Sequence, residues 1–121
     1  MEYPGIRFAL GHVSWPWCYE CFCVLNKIRN LRKRRGLDPR QAFGDLTPGM
    51  PASQRPDMVK FALSFIGDEL LIFGTDEQVG GGAYGRSVVE SYQRVFDELG
   101  LSQETQEKIF YKNALVWLGE S

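Results

Sequence analysis

Two polar side chains with the chemistry of an acid–base or metal site follow short apolar runs in this sequence. His12 comes directly after a glycine that ends the segment 6–10, and Asp76 comes two residues after a glycine that ends the segment 70–73. Histidine changes charge near neutral pH and binds metals, and a carboxylate binds a metal or accepts a proton. In parallel α/β folds such groups act from the carboxyl ends of strands. His12 and Asp76 are therefore candidate site residues, although a hydrogen-bonded strand-end histidine and a turn aspartate give the same pattern.

Three cysteines, Cys18, Cys21 and Cys23, form a second group that could do chemistry. The spacing of the first two fits a zinc knuckle, to which His12 could add a ligand. The same spacing places Cys18 and Cys21 on one stripe of a helix, where free cysteine packs as a small hydrophobic residue, while Cys23 points off that stripe. We expect core packing, with zinc binding or redox chemistry as the alternative. An odd number of cysteines fits a reducing compartment better than a disulfide framework.

Half of the basic residues, seven of the 14 Lys and Arg side chains, lie between positions 27 and 40. Such a stretch could bind nucleic acid phosphates. Basic side chains also suit the last turns of a helix, and Gly36 stands where a helix C-cap glycine belongs. Because no aromatic platform or known RNA-binding motif accompanies the stretch, we expect a solvated helix end and no nucleic-acid partner.

The apolar pattern predicts strands alternating with amphipathic helices. Strands are predicted over 6–10, 41–46 and 70–73, the last of them apolar throughout, as in a parallel sheet covered on both faces. Helices are predicted over 17–35 and 57–66, then from a capping box of Ser87 and Glu90 to position 99, and finally from a Ser102 cap to position 118. This order predicts an α/β fold.

The composition is that of one globular domain. The chain has 121 residues, of which 44% are hydrophobic and 24% charged. No apolar stretch is long enough to cross a bilayer and the opening lacks a secretory signal, so we expect a cytoplasmic protein without a membrane partner. Because His12 is the single histidine, one copy of the chain cannot hold a zinc site with several histidine ligands.

Three segments carry a resemblance to a known family: IRFALGH at 6–12, LLIFGTD at 70–76 and KIFYKNAL at 108–115. They resemble the last third of the amidohydrolase-related metal-dependent hydrolases, a group that includes the aminocarboxymuconate-semialdehyde decarboxylase type. The segment HVSWPW at 12–17 stands where the family commonly has His-Gly-Gly-Gly. The resemblance implies the C-terminal part of a (β/α)8 TIM-type barrel. Residues 1–121 would form a single partial barrel domain, with the sixth to eighth strand–helix units and a C-terminal helix, about three parallel strands and four helices.

The resemblance also implies an enzyme. The family uses a divalent metal, usually zinc, to hydrolyse or non-oxidatively decarboxylate a small carboxylate or amide substrate. Carried over by position, Asp76 is a catalytic residue and metal ligand, and His12 is a catalytic residue beside the metal. Asp45 and Trp15 become candidate substrate-binding residues. The family's first-strand His-x-His pair and fifth-strand histidine have no counterpart, so the metal site is incomplete in this chain.

Three strands cannot close a barrel. We therefore expect an open sheet face, carrying in some alternation Phe8, Leu10, Phe43, Leu71 and Phe73. An open apolar face drives association, so the expected partner is a second copy of the chain or a complementary barrel chain. The alternative function is a non-catalytic half-barrel module that dimerises through this face. A zinc or nucleic-acid binder built on the cysteines and the basic stretch is a third.

Overall fold

A computed structural model describes residues 3–78 and 80–120. Within them the sheet has three strands, β1 (Phe8–Leu10), β2 (Ala42–Asp45) and β3 (Leu71–Ile72), in the order β1-β2-β3. Both neighbouring pairs are parallel, with Leu10 opposite Gly44 and Asp45 opposite Ile72. The predicted parallel sheet is confirmed, with strands shorter than the apolar runs that predicted them.

Four helices surround the sheet in the described part of the chain. They are α1 (Cys18–Arg34), α2 (Arg55–Ile66), α3 (Ala83–Glu98) and α4, which consists of an α-helical segment Gln103–Glu107, a π-helical segment Lys108–Lys112 and an α-helical segment Asn113–Leu118. Short 3-10 turns cover Gly11–Ser14 and Ala52–Gln54. The result is the predicted α/β order. No helix among these residues is long and apolar enough to cross a membrane.

The C-terminal end of α1 confirms the role expected of Gly36. Its φ is +70°, its N–H donates to the carbonyl of Lys33 at 3.1 Å, and the N–H of Leu37 donates to the carbonyl of Arg32 at 3.0 Å. This pair of bonds is a Schellman motif, which glycine favours because the left-handed conformation is easy without a Cβ atom.

The predicted capping box at the start of α3 is wrong. The helix begins at Ala83, with Gly82 as its N-cap in the left-handed conformation. Ser87 lies inside the helix, where its Oγ donates to the carbonyl of Tyr84 at 2.7 Å. A hydroxyl that bonds back to its own helix cannot also cap it. The other predicted cap is confirmed, since Ser102 Oγ accepts from the N–H of Thr105 at 3.1 Å.

The core lies between the sheet and the helices. A Cβ atom on Gly44 would lie 3.2 Å from Val13 Cγ1 and 3.3 Å from Leu25 Cδ1, so β2 passes directly beneath α1. The fully buried large side chains of the core include Phe22, Leu25, Leu46, Leu71, Tyr92, Phe96 and Ile109. Their burial fixes the sheet against α1, α2 and α3.

Two residues of the expected open sheet face are covered, Phe43 on the middle strand β2 and Leu71 on β3, which pairs with Gly44. Phe43 and Leu71 are fully buried and Phe8 is 38% exposed, so the expectation is wrong for the first two residues. Alternation along β2 places Phe43 on the face opposite Gly44, which contacts α1. The C-terminal half of α4 folds back across the start of the strands: Asn113 Nδ2 donates to the carbonyl of Leu71 at 2.8 Å.

At its other end the same segment of α4 meets β1. Arg7 Nε donates to the carbonyl of Trp117 at 3.0 Å. Asn113 also donates to the carbonyl of Asp68 at 2.6 Å, so it bonds two backbone carbonyls at the start of β3 and is itself buried. α4 therefore ties β3 to β1 within one chain, a long-range contact that strand periodicity does not reveal.

Candidate functional site

The carboxyl ends of all three strands converge on Thr47, two residues after β2. His12, from the loop after β1, places its Nδ1 atom 3.0 Å from the Thr47 carbonyl oxygen. Asp45 Oδ1 accepts a hydrogen bond from the Thr47 N–H at 2.8 Å and another from its hydroxyl. We call His12, Asp45 and Thr47 the strand-end cluster.

Two glycines allow the strand-end cluster to pack closely. A Cβ atom on Gly49 would lie 2.9 Å from three atoms of the His12 side chain, Cβ, Cγ and Nδ1. A Cβ atom on Gly74, in the loop after β3, would lie 2.4 Å from Thr47 Oγ1 and 3.6 Å from Asp45 Oδ1. Any larger residue at either position would displace the groups that it faces.

A left-handed turn presents His12 to Thr47. His12, Val13 and Ser14 have φ values of +54°, +43° and +59°, a conformation that side chains with a Cβ atom rarely adopt. Val13 is 1% exposed and contacts Gly44, so burial of its side chain holds the turn on the sheet. The N–H of Trp15 closes the turn by donating to the carbonyl of His12 at 2.8 Å. Strain of this kind persists only where surrounding contacts impose it.

The contact with Thr47 fixes the proton on the His12 ring. A carbonyl oxygen only accepts, so Nδ1 is the donor and carries the proton. In the neutral ring Nε2 then has a free electron pair that can bind a metal or accept a proton. A carbonyl that holds Nδ1–H is the usual support of a metal-binding histidine. Asp45 Oδ2, in turn, has no hydrogen bond to any residue that the structure describes, although Oδ1 has two.

Asp76 lies at the same edge of the sheet as the strand-end cluster, in the loop after β3. It is exposed, with a φ of +57°, and it lines a pocket of about 410 Å³ with Glu77, Gln78, Gly80 and Tyr84. His12 is not among the described residues that line this pocket. β2 separates β1 from β3, so the loops that carry His12 and Asp76 lie on opposite sides of the loop after β2.

The loop that carries Asp76 is anchored by its neighbour. Glu77 accepts a hydrogen bond from the N–H of Gly85 in the first turn of α3, and its own N–H donates to Thr75 Oγ1 at 3.2 Å. A Cβ atom on Gly85 would lie 3.2 Å from the Glu77 carboxylate. Glu77 therefore works as a cap for α3 and is committed to that contact.

Trp15 lines another pocket, which lies between α1 and α2. The pocket has a volume of about 480 Å³, and its aromatic and methionine lining consists of Trp15, Tyr19, Phe22, Met50, Met58 and Phe61. Trp15 Nε1 donates to Gln54 Oε1 at 3.2 Å, which fixes the indole ring at the rim. Asp45 is not among the described residues that line it, so the two candidate substrate-binding residues occupy separate places.

The cysteines behave as packing residues. Cys21 is 3% exposed, and burial raises the pKa of its thiol from 9.0 to about 11. Burial also raises the pKa of the Cys18 thiol. A metal binds the thiolate, which both shifts disfavour. No group of three His, Cys, Asp or Glu residues among those described could hold a metal ion, so the packing interpretation is the better one for Cys21.

Three of the seven basic side chains of the stretch, those of Arg29, Arg32 and Arg40, form hydrogen bonds within the chain, and the other four are exposed. Arg32 is buried, and its guanidinium donates to the carbonyls of Asp38 at 2.5 Å and Pro4 at 2.9 Å. Arg40 forms a 2.9 Å ion pair with Asp38, and its hydrogen bond lowers the pKa of the Asp38 carboxyl. These bonds tie the end of α1 to the loop that leads into β2.

The sequence patterns did not identify Thr47 or Gly49 as site residues. The available signal was the Asp-x-Thr spacing of Asp45 and Thr47, since an aspartate that bonds the N–H two residues on is a common turn device. Nothing in the spacing indicated that His12, 35 positions earlier in the chain, would also form a hydrogen bond with Thr47.

Comparison with known proteins gives one structural likeness. The chain resembles a crystal structure of an amidohydrolase from Burkholderia multivorans with bound HEPES, with a TM-score of 0.67 and 15% sequence identity. The match covers 98% of this chain and 46% of that one, so this chain spans about half the length of that protein. No family model and no curated protein matches the sequence. The likeness establishes the fold, an α/β arrangement consistent with part of a (β/α)8 barrel.

Proposed function

We propose that this chain supplies the sixth to eighth strand–helix units of a metal-dependent amidohydrolase-type enzyme. The reaction would be hydrolysis or non-oxidative decarboxylation of a small carboxylate or amide, as in the aminocarboxymuconate-semialdehyde decarboxylase type. The observation that carries the proposal is the contact of His12 Nδ1 with the Thr47 carbonyl at the carboxyl edge of a parallel sheet. This is the edge at which barrel enzymes place their chemistry. The fold likeness to an amidohydrolase supports it.

Each candidate residue has a role in this proposal. When the His12 ring is protonated, its Nε2–H donates to the reacting carbonyl or carboxyl group of the substrate and polarises it, while Nδ1–H stays bonded to Thr47. Asp76 holds the metal or takes a proton from water. Asp45 presents its free oxygen toward the substrate, and Trp15 contributes an apolar wall at the rim of the pocket between α1 and α2.

The residues of this chain do not by themselves fit a zinc site. A catalytic zinc ion ordinarily has three protein ligands, and no group of three suitable side chains exists in the described residues. His12 and Asp76 can supply two donors at most, and the pocket that Asp76 lines does not include His12 among the described residues. In the proposal a complementary barrel chain supplies the remaining histidine ligands, which are not among these 121 residues. We assign no chemical step to a metal on this chain alone.

The compartment in this proposal is the cytoplasm. Cys18, Cys21 and Cys23 are all free thiols, and a reducing compartment preserves them in that state.

The test is metal analysis of the purified chain by mass spectrometry, alone and mixed with an N-terminal amidohydrolase half-barrel that carries the missing histidines. We expect little zinc on the chain alone, and both zinc and turnover in the mixture. Asp76→Ala should then abolish both, and His12→Ala should lower turnover more than zinc content. Near-stoichiometric zinc that survives both substitutions but is lost with Cys18→Ala and Cys21→Ala would contradict the proposal.

A second candidate function is a non-catalytic module that dimerises. It is favoured by β1, which pairs only with β2 in the described residues, and by the adjacent apolar groove. The groove has a volume of about 320 Å³ and is lined by Tyr3, Ile6, Phe8, Ile28, Leu31 and Gln41. Light scattering separates the two functions. A stable dimer that does not bind the half-barrel and shows no turnover would favour the module. A monomer that binds the half-barrel would favour the enzyme.

A further inference from the structure

The pocket between α1 and α2 combines aromatic rings, methionine side chains and one carboxylate. Its volume of about 480 Å³ is within the size range of pockets that bind small molecules. Neither His12 nor Asp76 is among the described residues that line it, so it is separate from the strand-end chemistry. We call it the α1–α2 pocket, and its walls include Trp15, Tyr19, Phe22, Asp57, Met58 and Phe61.

The α1–α2 pocket has an apolar floor and an open aromatic rim. Phe22 and Met58 are 1% and 8% exposed, so they form the floor. Trp15 and Tyr19 are 38% and 62% exposed, and Asp57 is exposed as well, so these three lie at the rim. A ligand that fills the pocket would therefore bury an apolar group against the floor and keep a polar or charged group at the rim.

The rings of the α1–α2 pocket are held in place by contacts within the chain. The centre of the Phe61 ring lies 5.4 Å from that of Tyr19 and 5.8 Å from that of Phe22. Trp15 Nε1 donates to Gln54 Oε1 at 3.2 Å. Because these contacts already order the rings, a ligand loses little free energy in arranging them.

The charge at the rim of the α1–α2 pocket is negative. Asp57 is the one charged side chain among the described residues that line it, and it forms no ion pair with any described residue. Asp57 lies in the first turn of α2, whose positive end carries roughly half an elementary charge, less than the full charge of the carboxylate. The cation at the start of α2 is engaged elsewhere, since Arg55 Nη1 donates to Ser91 Oγ at 2.9 Å.

We propose that the α1–α2 pocket binds a small organic ammonium ion. Its apolar group lies on the floor against Phe22 and Met58, and its charged group lies at the rim. There the aromatic rings of Trp15 and Tyr19 attract it, because the face of an aromatic ring carries negative charge, and the Asp57 carboxylate adds a full negative charge. A neutral apolar molecule would use the floor but gain nothing from Asp57, and an anion would be repelled.

This inference goes beyond the proposed function. It rests on that function only if the bound ammonium ion is a substrate, because binding in the α1–α2 pocket needs neither a metal nor the half-barrel. All binding is therefore measured on the chain alone. Failure of the half-barrel mixture to gain zinc or turnover would leave the binding unchanged, so the two failures are distinguishable.

The first experiment compares three probes of similar shape on the native sequence at pH 7 and constant ionic strength. They are benzylammonium, a cation, benzyl alcohol, which is neutral, and benzoate, an anion. The ¹H–¹⁵N signal of the Trp15 indole, assigned by its loss in Trp15→Phe, reports binding at the rim. We expect it to shift and saturate with benzylammonium at lower concentration than with benzyl alcohol, and to stay in place with benzoate. The indole signal of Trp117, whose carbonyl contacts Arg7 at the other side of the sheet, should not move.

The second experiment removes the charge. Asp57→Asn should weaken benzylammonium binding by about 1.5- to 5-fold, the range expected for an exposed ion pair, and should leave benzyl alcohol binding unchanged. Glu98→Gln is the matched control, because it removes the same charge at an exposed position near the end of α3. It should leave both affinities unchanged.

The third experiment removes a rim ring and keeps an apolar side chain. Tyr19→Leu should weaken benzylammonium binding by about two- to fivefold and benzyl alcohol binding by less. Tyr111→Leu, at a residue that is 49% exposed on α4, should change neither.

Three results would overturn the proposal. A Trp15 signal that does not respond to benzylammonium would show that the pocket does not bind it. Binding of benzyl alcohol or benzoate as tight as that of benzylammonium would show that charge does not select the ligand. Equal weakening by Asp57→Asn and Glu98→Gln would show a general attraction to the surface of the chain.

Discussion

The Nδ1 atom of His12 lies 3.0 Å from the carbonyl oxygen of Thr47, so the loop after β2 determines which nitrogen of the His12 ring carries the proton. The two residues follow neighbouring parallel strands, and the contact locks the β1 and β2 loops together. Because Thr47 also bonds Asp45, the orientation of the imidazole and that of the carboxylate depend on one residue. A displacement of Thr47 should therefore change both.

The first prediction concerns Gly49. Gly49→Ala places a Cβ atom 2.9 Å from His12 Nδ1 and should push the ring away from the Thr47 carbonyl without straining the backbone. We expect the chain to remain folded while the Nδ1 proton loses its fixed position. Long-range ¹H–¹⁵N spectra of the imidazole should change from one tautomer toward a mixture. Gly11→Ala is the control, because a Cβ atom there meets nothing within 4 Å; the same spectral change in both variants would contradict the explanation.

The second prediction concerns Gly74. Gly74→Ala brings a Cβ atom to 2.4 Å from Thr47 Oγ1, so we expect a loss of about 1–3 kcal/mol in the free energy of unfolding. Removing the hydroxyl should relieve the clash, and Gly74→Ala combined with Thr47→Ala should cost less than the sum of the single changes. Urea denaturation of the four chains measures this coupling. Additive losses would show that the two residues do not meet.

The sequence predicted the sheet and helices because their signals are local. Apolar runs located the three strands, and Gly36 and Ser102 marked a helix end and a helix start with the bonds that the structure shows. Ser87 failed because Gly82 allows a helix start five residues before the one that Ser87 would cap. A serine followed by a glutamate also occurs inside helices, so that pattern alone is ambiguous.

The site could be predicted only in part because its contacts are long-range. His12 and Asp76 were recognised as strand-end residues, but whether they share a pocket depends on loop geometry that spacing does not encode. The meeting of His12 with Thr47 needs a left-handed turn at three residues that are not glycine. The burial of Phe43 was missed because the sequence pattern does not show which parts of the chain cover each face of the sheet.

The third prediction concerns Tyr92, whose hydroxyl donates to the Leu46 carbonyl at 3.0 Å in the core. Tyr92→Phe leaves that carbonyl buried without this donor, so we expect a loss of about 1–3 kcal/mol in the free energy of unfolding. Tyr111→Phe, at a residue that is 49% exposed, should change it by less than about 0.5 kcal/mol. Urea denaturation monitored by fluorescence measures both. Equal losses in the two variants would show that the Leu46 bond contributes nothing specific.

The last prediction concerns the alkaline stability of the chain. Burial raises the pKa of Cys21 from 9.0 to about 11, so between these values the folded chain keeps a proton that the unfolded chain loses. The unfolded state therefore binds fewer protons, and stability that is fully present below pH 9 falls as pH rises, by at most about 1.4 kcal/mol per pH unit for one group. Burial also raises the pKa of Tyr92 to about 12 and that of Cys18, which steepens the fall.

Urea denaturation at pH 8, 9 and 10 under reducing conditions measures the free energy of unfolding. Its fall with rising pH should be shallower for Cys21→Ala than for the native sequence. Val24→Ala, the control, should fall as the native sequence does, because Val24 is 47% exposed and carries no titrating group. An identical fall in all three chains would mean that the Cys21 thiol does not stay protonated in the folded state.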